Sequence, residues 1–163
     1  MKNIIILLVA ALFFSQNVIA SEDQMAISIK RLSLNVTTKI SQAAIDACRK
    51  KGIQIAVTVV DRHGSVQNVM RDTVAPVISL EISRQKAFTA ANFGAATSQL
   101  AGRASTPIGQ IDGLLMSAGG IPIQIAGHLL GGVGVSGAPS GEIDEECAQA
   151  GIDEVKDDLE MEF

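Results

Sequence analysis

The stretch GVGVSG, residues 132–137, narrows most sharply what this chain can become. Its letters match the glycine turn that cradles a dinucleotide pyrophosphate. That turn needs a strand, a helix starting at once, and a second parallel strand beyond it. Here Gly132 and Gly134 alternate with Val133 and Val135, the period of a strand, and Pro139 intervenes before any helix signal. Only 26 residues follow Gly137, too few for a helix and another parallel strand. The match is coincidental, and the segment is a strand. Glycines inside a strand mark close approach to the backbone by a helix, a neighbouring subunit or a flat ligand.

The flanking pattern sets the class. Ser21 and Gln24 fit a capping box, and apolar residues recur at Ile29, Leu32, Val36, Ile40, Ala43 and Ala47, one face of a helix ending at Gly52. IQIAVTVV and SVQNVMR flank the turn DRHG and predict a hairpin. Pro76 fits the first turn of a second helix reaching about Asn92, with a helical turn expected over Thr97 to Gly102 and a loop over 103–110. GLLMSAGG, IPIQIAG and HLLGGVGVSG read as three short strands, the last two turning at Gly127–His128. A final helix starts near Ser140 and carries Ile143, Cys147, Val155 and Leu159 on one face. Gly151 inside it implies a tight contact. The order predicts an α+β fold: one antiparallel sheet of about five strands with helices on one face.

The opening residues MKNIIILLVAALFFSQNVIA combine a basic start, an apolar run and a small residue at 20, the pattern of a signal peptide over 1–20. Its apolar core is shorter than the roughly 20 residues that span a bilayer. Cleavage leaves one domain, 21–163, in the periplasm or outside the cell. The whole chain carries 13 basic and 17 acidic residues, and losing Lys2 moves the net charge from −4 to −5. Without a basic patch, and with only Phe88, Phe93 and Phe163 as aromatics after residue 20, nucleic-acid binding has no support. Cys48 and Cys147 fit either a disulfide or two buried thiols.

Taken together, VVDRHG (59–64), MRD (70–72), ISRQKAFTAANFG (82–94), GGIPI (119–123) and GGVGVSG (131–137) carry a resemblance, with Asp144–Glu145 before Ala148 to Gly151. The chain resembles the GlcG/HbpS family, also seen as the C-terminal domain of PduO-type proteins. The likeness implies a PAS- or profilin-like sheet and a homo-oligomer, often an octamer. It also implies haem in some members, with a secreted member linked to haem degradation and to a sensor kinase. Two turns depart from the family: Arg62–His63 replaces small residues, and His128 stands where an acidic residue is common.

Within that frame, Ile78, Ile82, Lys86, Thr89 and Phe93 share one helix face, an apolar stripe broken by a cation and a hydroxyl. Lys86 and Thr89 are the first candidates for a pocket wall, the ammonium serving a carboxylate or propionate, although a lysine stem lying on the core looks the same in sequence. His63 and His128 are the available imidazoles, and Met70 and Met116 the soft ligands. Exposed turn histidines and core-filling methionines are the plain alternatives. Arg71 could join Lys86 on an organic acid. Without a C-x-x-C-H motif or a tyrosine, any haem is held non-covalently and without Tyr ligation, and an open iron position would admit slow peroxide-dependent haem breakdown. Glu142, Glu145 and Glu146 share one side of the last helix, where they complement its dipole or hold iron or another divalent cation at the surface. Hydrolase chemistry has no support, since Ser136 lacks a nucleophile-elbow setting. Three expectations follow: a haem-binding exported protein, an accessory organic-acid or signalling module without haem, or an assembly partner whose glycine strand is an interface.

Overall fold

The computed structural model describes residues 25–163. The expected signal segment and the proposed Ser21–Gln24 cap lie outside the described residues. In chain order the elements are α1 (Leu34–Lys50), β1 (Ala56–Asp61), β2 (Val66–Arg71), α2 (Ile78–Phe93), β3 (Gly120–Ile125), β4 (His128–Ser136) and α3 (Gly141–Glu160), with two short 3-10 turns at Thr97–Arg103 and Pro107–Gln110. The strands form one antiparallel sheet in the order β2-β1-β4-β3. The α+β class therefore holds, with four strands rather than five. GLLMSAGG is not a strand, because Gly113 and Gly119 adopt φ of 87° and 124°, and the Leu115 N–H bonds the Thr89 hydroxyl instead of a ladder.

The helices lie on both faces, which corrects the one-faced expectation. Val57 and Val59 of β1, with Val133 and Val135 of β4, join Ile40, Ala44, Ile45, Cys147 and Ile152 in the core beneath α1 and α3. The alternate residues meet α2: Thr58 bonds Ser83 at 2.8 Å, and Val60 packs with Ala87 and Ala91. β1 is thus buried along its whole length, so its sequence is a continuous apolar run rather than an alternating one.

GVGVS lies in the central strand β4, and what approaches its glycines is α2. A Cβ at Gly132 would sit 2.5 Å from the Ala87 carbonyl oxygen, and one at Gly134 would overlap that of Ser83. The helix α2 fills the space that these glycines leave open. Gly151 has the packing role expected of it: an added Cβ would stand 2.5 Å from the Ile40 carbonyl oxygen, so α3 seats directly on α1.

Two boundaries shift. Helix α1 begins at Ser33, whose hydroxyl accepts from the Val36 N–H, while Ile29 and Leu32 belong to an extended strap in front of it. The β3–β4 turn is made by Ala126 and Gly127, both at positive φ, so His128 opens the strand instead of forming the turn. Cys48 and Cys147 are bonded, joining α1 to α3 across 99 residues of chain.

Candidate functional site

Helix α2 shapes the surface where its N-terminal turns leave the sheet. Between the edge strand β2 and this helix runs an apolar groove of about 590 Å³. Thr58 lies at its base, and Val69, Val77, Ile78 and Leu80 line it. Glu81 and Arg84 close one side, tied by bonds of 2.6 and 2.9 Å that hold the Glu81 carboxyl below its ordinary range. Val77 and Ile78 are largely exposed, an unusual state for two adjacent aliphatic side chains. Arg71 stands two residues past Val69 on the same face of β2 and donates to the Ala75 carbonyl.

Around the N-terminal end of α2 from the groove, and sharing Ile78 with it, is a polar pocket of about 380 Å³. Its walls come from α2 (Ile82, Lys86), the loop at Leu115 and Ser117, and the start of α3 at Ser140 and Asp144. The Lys86 ammonium donates to Asp144 Oδ2 at 2.9 Å and to the Val135 carbonyl at 3.1 Å. The other Asp144 oxygen accepts from the Ala138 N–H at 3.0 Å. Burial pushes the Asp144 carboxyl above its ordinary pKa, against the pull of Lys86.

The sequence candidates separate into distinct places. Lys86 does line a cavity, but its charge is already matched. Thr89 is fully buried: its hydroxyl donates to the Gln85 carbonyl and accepts from the Leu115 N–H, pinning the 113–118 loop, and it lines neither the groove nor the polar pocket. Met70 packs on the α1–α3 side, opposite α2, because it alternates with Val69. Met116 is buried, as a core filler would be. His63 and His128 are exposed at the far end of the sheet, where Asp61 pairs with Gly131 and β4 begins. Lys86 instead sits where β4 ends, at Val135.

Nor are the three glutamates brought together. Glu145 accepts from the Ser98 N–H, Glu146 pairs with Lys51 at 2.5 Å, and Glu142 bonds its own backbone and Ser140, which lowers its pKa. Among the described residues no group of three or more His, Cys, Asp or Glu side chains is arranged to hold a metal ion. Each of the three carboxylates has a local partner of its own.

Asp144 is the residue that sequence reading missed, having entered only as part of the family motif. Its spacing held the signal, because Asp144, Cys147, Ala148 and Gly151 follow i, i+3, i+4, i+7 and all four are buried. The groove had no comparable signature, since Val69 and Val77 come from different elements.

Compared with known proteins, residues 32–153 match the family described as haem-degrading protein HbpS-like. A crystal structure of a double mutant of HbpS from Streptomyces reticuli is 38% identical with a TM-score of 0.75, over 78% of this chain and 89% of that one. A crystal structure of a PduOC:haem complex is 26% identical with a TM-score of 0.70, over 77% of this chain and 95% of that one. The corrinoid adenosyltransferase PduO of Salmonella typhimurium is 30% identical over 128 residues, which is 74% of this chain but only 38% of that protein.

Proposed function

This chain belongs to the HbpS-like family, and from that premise we propose that it is an exported protein that binds haem non-covalently in the groove between β2 and α2. What carries the proposal is the likeness to a PduOC solved with haem, joined to an exposed apolar groove in this chain. The groove suits a flat apolar guest with acid arms: aliphatic walls take the ring, and Arg84 and Arg71 lie within the same region for its carboxylates. Bound haem would supply a redox-active iron. The groove lining contains no His, Met, Cys or Tyr, so burial of apolar surface would do most of the holding. An iron without a strong protein ligand stays open to peroxide, which supports slow haem breakdown as at most a secondary activity.

Export is supported by the Cys48–Cys147 disulfide, a bond that persists in oxidising compartments, and by the signal pattern over residues 1–20. Among the described residues no helix is long and apolar enough to cross a membrane. Val66 and Val74, on β2 and on the loop that leads from it to α2, add exposed apolar surface to that of Val77 and Ile78, which supports a homo-oligomer in which a second copy covers this surface. An organic acid on Lys86 is disfavoured, because it would have to displace Asp144 from the ammonium.

The test is a haem titration of the purified protein followed in the Soret band. Saturable binding near one haem per chain is expected. Ile78→Glu, a carboxylate set into the groove, should weaken it by about tenfold or more, the effect of roughly 1.4 kcal/mol. A wild-type protein that leaves the haem spectrum unchanged would falsify the proposal.

A further inference from the structure

A protein that recognises haem through its iron must give the metal a lone pair, and the groove between β2 and α2 holds none that is free. Its polar lining is Thr58, Glu81 and Arg84. Thr58 is fully buried, and its hydroxyl is bonded to that of Ser83 at 2.8 Å. Both Glu81 oxygens are engaged. Oε2 accepts from Arg84 Nε at 2.9 Å, and Oε1 accepts from Arg84 Nη2 at 2.6 Å and from Gln85 Nε2 at 3.0 Å. That carboxylate would have to give up its cation to reach a metal. The Arg84 guanidinium has donors only.

The side chains that commonly ligate haem iron stand away from the groove. Met70 packs on the α1–α3 side, and Met116 is buried and lines neither the groove nor the polar pocket. His63 and His128 lie exposed at the far end of the sheet. Cys48 and Cys147 are bonded to each other, and the chain has no tyrosine. What the groove does present is aliphatic carbon. Val69, Val77 and Ile78 are 45%, 72% and 64% exposed, surface that a flat ring would cover whatever stands at its centre.

We infer that the groove recognises the tetrapyrrole ring and not its metal, so that its ligand class is the porphyrins as a whole, iron-free ones included. The inference rests on the haem reading above and deepens it by assigning the affinity to the ring and its acid arms. Protoporphyrin IX shares both with haem. Two inner N–H groups stand where haem carries iron, and a groove without a metal donor has nothing to lose by the exchange.

Protoporphyrin IX, kept dilute enough to stay monomeric, would be titrated into the purified protein and followed by its fluorescence, with haem as competitor. One porphyrin per chain is expected, with a Kd within about threefold of that for haem. Haem should displace it one for one. Ile78→Glu changes an exposed side chain and leaves the core alone, and it should weaken both ligands by the same factor, about tenfold or more. Haem binding about tenfold or more tighter than protoporphyrin would reveal a ligand on the iron and overturn the inference while the haem reading stands. Protoporphyrin that haem cannot displace, or that ignores Ile78→Glu, would sit elsewhere and overturn it as well. If neither compound binds, the haem reading fails and takes this inference with it.

Discussion

Lys86 donates to Asp144 at 2.9 Å and to the Val135 carbonyl at 3.1 Å, and the two charged side chains retain only 5% and 4% of their exposure. A pair held this far from water loses two hydration shells and regains most of that loss in mutual attraction and backbone bonds. Removing one member is then worse than removing both. Lys86→Met should lower unfolding free energy by about 3–5 kcal/mol in urea titrations, whereas Lys86→Met with Asp144→Leu should recover most of the loss. The pH dependence has a definite sign. Asp144 has a folded pKa above its unfolded value, so the folded state binds the extra proton between the two. Its contribution is present below the unfolded pKa and falls as pH rises through the folded one. The double variant should lack that component. Asp72, held below the ordinary range by Arg49, acts in the opposite sense: its contribution is present above the unfolded pKa and lost as pH falls through the folded one. A single Lys86 variant no less stable than the double would refute this account of the pair.

At the scale of elements, the contact between β4 and α2 decides the layering. Gly134 has the Ser83 carbonyl where a Cβ would be, so Gly134→Ala must push the helix off the sheet. A cost of about 2–3 kcal/mol is expected, read as an earlier denaturation midpoint with an unchanged slope. The same contact explains what the sequence could and could not disclose. Alternating glycines announced a close neighbour without saying which, since a helix, a ligand and a subunit all demand the same missing side chain. The run AVTVV within β1 held a plainer message: five residues without polar alternation, apart from Thr58, belong to a strand covered on both faces. Read that way, it would have put helices on each side. GLLMSAGG misled because apolar content resembles a buried strand when the positive-φ glycines that bend it cannot be identified in advance. At the candidate site, one helix face was legible and led to Lys86. Its partner Asp144 lies 58 residues downstream, and the groove joins β2 to α2, so both depended on topology rather than period.

At the scale of the whole molecule, two layers flank one sheet and only one of them carries a covalent tie. The disulfide links α1 to α3, with both cysteines fully buried, while α2 reaches the sheet through small residues and the Thr58–Ser83 bond. In the chain-entropy account, a cross-link closing about 100 residues stabilises the fold by roughly 4–5 kcal/mol, chiefly by restricting the unfolded chain. Replacing both cysteines by alanine should therefore lower Tm by roughly 10–20 °C for a domain of this size, measured calorimetrically. Haem affinity at 25 °C should meanwhile stay within about threefold of the parent, because the groove is built from β2 and α2 and touches neither cysteine-bearing helix. A matching loss of haem affinity in a variant still folded at 25 °C would mean that the tied layer shapes the groove after all. Retention would instead separate the roles: the α1–α3 side would hold the molecule together, and the α2 side would be left free for the proposed guest.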